Sequence, residues 1–98
     1  MDLRNIDVYD MAINHWGMQK QMTKAVEELA ELTKEICKIQ LDDGPEITTK
    51  HLVEEIADVR IMLEQLEWMF QIFTEVEETI QYKLDRTKQR IEKEIIEG

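Results

Sequence analysis

Glycine, proline and cysteine are scarce in this 98-residue chain: three, one and one. The glycines and the proline all fall outside the long periodic runs. That leaves few of the turns a many-stranded fold needs and points to helices. A single cysteine excludes an internal disulfide, and Cys37 reads as a small packed side chain. No apolar run approaches the ~20 residues that cross a bilayer, so no membrane association is expected. No basic segment followed by an apolar run opens the chain, so a signal peptide is not expected and a reducing cytoplasm is the default location. Basic residues are few: 12 Lys and Arg stand against 22 Asp and Glu, a formal net charge of −10. That balance argues against nucleic acid as a partner, because phosphate neutralisation needs a basic face. It leaves open a small phosphorylated ligand, since bound metal ions reverse a local acidic field.

What is present is 43% apolar and 35% charged residues, enough to build a core. The length fits one domain, 1–98. A chain this short buries about two thirds of its extended surface, so its core is thin and a partner subunit would add burial. The expected architecture is an all-α bundle of one short and three long helices. The first covers about residues 5–16 and ends at Gly17, where a left-handed cap is suited to glycine. The second covers about 18–41 and stops at Asp42-Asp43-Gly44-Pro45. Thr48 or Thr49 can cap a third over about 49–72. Thr74-Glu75-Val76-Glu77 fits a capping box for a fourth, which runs towards Ile96.

At 100° per residue, Met22, Ala25, Val26, Leu29, Leu32, Ile36 and Ile39 share one stripe of the second helix. Val76, Ile80, Leu84, Thr87, Ile91 and Ile95 do the same on the fourth. The third helix is apolar on two sides. Leu52, Ile56, Val59, Met62, Leu63, Leu66 and Phe70 form one stripe; Ala57, Ile61, Trp68 and Ile72 lie opposite. Two apolar faces imply two packing partners. We therefore expect a homo-oligomer, a dimer or tetramer, built partly on the third helix, with Trp68 in the contact.

Some acids sit where a solvated face would not place them. Glu55 lies only ~40° from Val59, the centre of the core stripe, and Asp58 ~100° away at its edge. Glu28 lies ~100° from Leu29 on the second helix, and Glu31 is one turn further on and further round. Each helix thus carries an i, i+3 pair, and such residues are surface neighbours. On antiparallel helices the pairs can converge. Converging carboxylates repel unless a cation joins them, and Mg²⁺ or Mn²⁺ prefers oxygen ligands. Among 22 acids such spacings also arise by chance on solvated faces. Glu55 on the core stripe is what separates the two cases, since an unpaired buried carboxylate is very costly.

Glu27-Glu28-Leu29-Ala30-Glu31 followed by Glu55-Ile56-Ala57-Asp58 resembles the paired motif of MazG-type nucleoside triphosphate pyrophosphohydrolases. The flanking text, AVEELAEL and VEEIADVRIML, is similar too, as is the final segment Lys83-Leu84-Asp85-Arg86-Thr87. The resemblance implies an all-α enzyme that hydrolyses NTP or dNTP to the monophosphate and pyrophosphate, by metal-activated water attack at the α-phosphorus. It implies Glu28, Glu31, Glu55 and Asp58 as Mg²⁺ ligands, with Mn²⁺ able to substitute. Glu27, Glu28 and Glu31 would carry the catalysis, Glu27 by orienting or deprotonating a water. Lys83, Arg86 and Lys24 would meet phosphates. Thr87 stands where the family usually has Asn. His15 and Trp16 offer flat rings to the base, although Trp16 could equally close the helical core. A related dUTP or phosphoribosyl-ATP pyrophosphatase, a nucleotide sensor with negligible turnover, and a non-catalytic acidic helical adaptor are the competing readings.

Overall fold

The computed structural model describes residues 2–41 and 49–98. A 3₁₀ turn, Leu3–Asn5, leads into α1 (Ile6–Trp16), α2 (Met18–Leu41), α3 (Lys50–Phe70) and α4 (Phe73–Glu97). Among the described residues there is no strand, and the all-α class follows the sequence expectation. The expected turn at Asp42–Pro45 and the alternative cap Thr48 lie outside the described residues.

One residue joins α1 to α2. Gly17 ends the first helix by donating its N–H to the Ile13 carbonyl at 2.8 Å, and its own carbonyl accepts from the Gln21 N–H at 3.1 Å. Its φ is +90°, as a glycine joint allows, but its ψ of 154° is extended rather than left-handed helical. A Cβ there would meet nothing within 4 Å, so the requirement for glycine comes from the backbone alone.

The centre of the fold is the α2–α3 pair. Its seam on α2 is Gln21, Ala25, Glu28, Leu32, Glu35 and Ile39, all buried or half-buried. The steps are four, three, four, three, four, a heptad seam. On α3 the matching line is Leu52, Glu55, Val59, Met62, Leu66 and Met69, with Gln65 buried beside it. The apolar stripe expected to bury on α2 is therefore turned partly away: Met22, Val26, Leu29 and Ile36 are exposed. On α3, Ile56, Leu63 and Phe70 of the expected core stripe are exposed as well. The buried apolar core is Tyr9, Ala25, Val59 and Met62.

Trp68 finds a partner within its own chain. It is half-buried, and its indole Nε1–H donates to Asp10 Oδ1 of α1 at 2.6 Å. Tyr9 closes the same side, donating its hydroxyl to Glu64. Cys37 falls between the seam positions Glu35 and Ile39 and is exposed, not packed.

Two expected caps are absent as side-chain hydrogen bonds. Thr49 holds the N-cap position of α3, but with helix-like φ/ψ of −82°/−2° and no bond from its side chain. At α4 the N-cap is Ile72, so Thr74 already lies inside the first turn, where the capping-box geometry is lost. The cause is the end of α3. Gln71 is left-handed (φ 55°, ψ 44°), and Ile72 N–H reaches the Glu67 carbonyl at 3.0 Å, a Schellman-type stop. Gln71 takes a conformation that costs a non-glycine residue roughly 1 kcal/mol. The next helix starts two residues later.

α4 meets α3 near this corner and touches neither α1 nor α2. Its stripe was expected to bury. Of those residues only Val76 is half-buried, and the rest are exposed. No helix among the described residues is long and apolar enough to cross a membrane.

Candidate metal centre

The α2–α3 seam brings Glu28, Glu55 and Asp58 together, with one carboxylate oxygen from each lying within 4.8 Å of the others. Glu28 and Glu55 are half-buried and Asp58 is exposed, so the group opens to solvent on one side. Glu55 Oε2 is fully covered and has no hydrogen-bond partner. Its carboxyl is held above the ordinary carboxylate range, first by desolvation and then by Asp58, Glu28, Glu31 and Glu35 in that order. Three hard oxygen donors sharing one point, one of them orphaned, fit a divalent cation of the Mg²⁺ or Mn²⁺ type.

The surrounding side chains divide clearly. Glu31 is exposed and lies outside the close group, yet it is near enough to act on Glu55. Glu35 does the same from a half-buried position and was missed in the sequence reading. Its signal was there: Glu28, Glu31 and Glu35 share a face at i, i+3, i+7.

Lys24 sits one turn before Glu28 and pairs with it at 3.1 Å. The same lysine lines a pocket of about 390 Å³ with Trp16, Lys20, Gln21, Thr23 and Glu27. An aromatic ring, two ammonium groups and a carboxylate thus line one recess, linked to the acidic group through the Lys24–Glu28 pair. Lys20 is a further residue the sequence reading did not single out. His15 packs edge-on to Trp16, ring centroids 5.2 Å apart, and lines a different hollow with Val8, Met11 and Ala12.

The α4 cations do not join this constellation within one chain. Lys83 lies beside the shallow apolar groove of Val76 and Ile80. The Arg86 guanidinium stacks over its neighbour Tyr82, 5.7 Å from the ring centre. Since α4 does not approach α2, both cations belong to another part of the surface.

No family model, curated protein or solved structure matches this chain. The site's chemistry therefore rests on its own residues.

Proposed function

We propose that this chain is a metal-dependent nucleoside triphosphate pyrophosphohydrolase, the activity implied by its resemblance to the MazG type. The observation that carries the reading is Glu55. A covered, unpartnered carboxylate oxygen beside two other carboxylates has no purpose in a purely structural seam. Glu28, Glu55 and Asp58 would hold Mg²⁺, with Glu31 in reach from the next turn. When bound, the cation neutralises phosphate oxygens and acidifies water.

The remaining roles fall to the chain's own groups. With Glu28 committed to a cation, Lys24 would be free to meet the polyphosphate together with Lys20. Glu27, on the rim of the same pocket, orients water. Trp16 offers its ring to the base across the recess.

The test pairs cation titration with pyrophosphate release over a panel of common and modified triphosphates. We expect Mg²⁺-dependent release, and a loss of at least about 100-fold in kcat/KM for Glu55→Gln and Asp58→Asn. No Mg²⁺ binding and background release with every triphosphate would reject the enzyme. The adaptor reading would then stand, favoured by the uncovered apolar face of α4. Among active outcomes, the ranking of substrates separates a general enzyme from one for dUTP or phosphoribosyl-ATP.

A further inference from the structure

The least explained part of the molecule is α4. Leu84 is 58% exposed, Ile91 51% and Ile95 72%. They lie on one face of a 25-residue helix that nothing among the described residues covers beyond its first turns. An isolated amphipathic helix in water gains little from propensity and draws its stability from packing of its apolar face.

The surface area points the same way. A folded monomer of 11.7 kDa exposes about 5,900 Å². This chain exposes 8045 Å². The excess of about 2,100 Å² per chain, doubled for two partners, falls within the range of obligate homodimers. Extension agrees: the radius of gyration is 17.4 Å, against about 13 Å for a compact chain of this length.

The pattern along α4 selects the orientation. From Val76 to Ile95 the stripe advances by four, four, three, four and four residues. That spacing reads identically from either end. A second α4 running antiparallel, with the two-fold axis between Asp85 and Arg86, sets Val76 against Ile95, Ile80 against Ile91, and Leu84 against Thr87. It also places Asp85 level with Arg86 of the mate at the axis. The four-four-three unit within it is an 11-residue repeat, which needs no left-handed supercoil to keep the two faces together.

We propose that the occupant of this face is a second copy of the chain, in a two-fold dimer whose centre is an antiparallel α4–α4 pair. The dimer does not rest on the enzymatic reading, and neither result decides the other.

Light scattering on the full chain should give twice 11.7 kDa. Leu84→Glu should return it to one chain mass with helical circular dichroism retained. A second measurement covers the case in which that variant unfolds. Spin labels at Glu97→Cys, in a Cys37→Ser background, should sit about 35 Å apart, from 1.5 Å rise per residue on either side of the axis. A single-chain mass at 100-fold varied concentration overturns the proposal. So does a dimer indifferent to Leu84→Glu, or labels closer than about 20 Å, which a parallel pair would give.

Discussion

Gln65 donates its side-chain Nε2–H to Gln21 Oε1 at 3.0 Å, in the buried seam between α3 and α2. Seven residues further along α2 is Glu28, and seven residues back along α3 is Asp58. The glutamine pair and the carboxylate pair are therefore in the same register, two helical turns apart. A buried polar pair tolerates no slip, because a shift leaves donor and acceptor unpaired. It fixes which α3 residues face Glu28, and so positions the three-carboxylate group without touching it.

Gln65→Leu should cost about 1–3 kcal/mol, because the Gln21 amide is left buried with no partner. Urea unfolding measures this. The double variant Gln21→Leu with Gln65→Leu should recover most of the loss, since two apolar groups replace the pair. Its cation affinity should nonetheless fall, as register is no longer fixed. A single variant as stable as the parent would show that the pair is not under constraint.

Glu55 sets a pH dependence. Its carboxyl is raised by burial and by the neighbouring acids. Between the ordinary carboxylate value and the raised one, the folded chain holds a proton that the unfolded chain has released. Stability from this group therefore falls as pH rises through that window and stays lost above it. In EDTA, Glu55→Gln should unfold at a higher temperature than the parent at neutral pH. The gap should narrow on acidification to about pH 4, where the parent regains its proton. Mg²⁺ should raise the parent's midpoint and leave the variant's unchanged. A parent–variant gap that does not depend on pH would remove Glu55 from this role.

Trp16 and Lys20 should separate in steady-state kinetics. A stacked base is worth about 1–3 kcal/mol, so Trp16→Ala should raise KM for a nucleoside triphosphate by about 10-fold with kcat largely kept. Inorganic triphosphate, which has no base, should bind the parent and this variant alike. Lys20→Ala should weaken both ligands. Equal loss for both ligands on Trp16→Ala would mean that the ring supports the pocket wall only.

The helices and the acidic site were legible in the sequence to different depths. Scarce glycine and proline, with apolar periodicity, located all four helices nearly to the residue. The wheel placed Glu55 on the core side, where it is found half-buried. The identity of the seam was not legible on α2. Its apolar moment centres near Leu29, yet the helix turns Gln21, Glu28 and Glu35 inward instead. Gln21 gains its place from Gln65 on α3, a partner that a single helical wheel does not contain. The same reason explains Trp68: its Asp10 partner is 58 residues away in sequence. Thr74 failed as a cap because the stop at Gln71 restarts the helix two residues early, a backbone event that residue preferences do not encode.

Gly17 has one more consequence. The ring of Trp16 lies on one side of that joint, and every carboxylate of the centre lies on the other. Tyr9 and Asp10 tie α1 to α3 at Glu64 and Trp68, so the angle of that joint is held. In the proposed enzyme, the ring that would meet the base and the carboxylates that would hold the cation thus belong to separate elements, and one can change in sequence without moving the other.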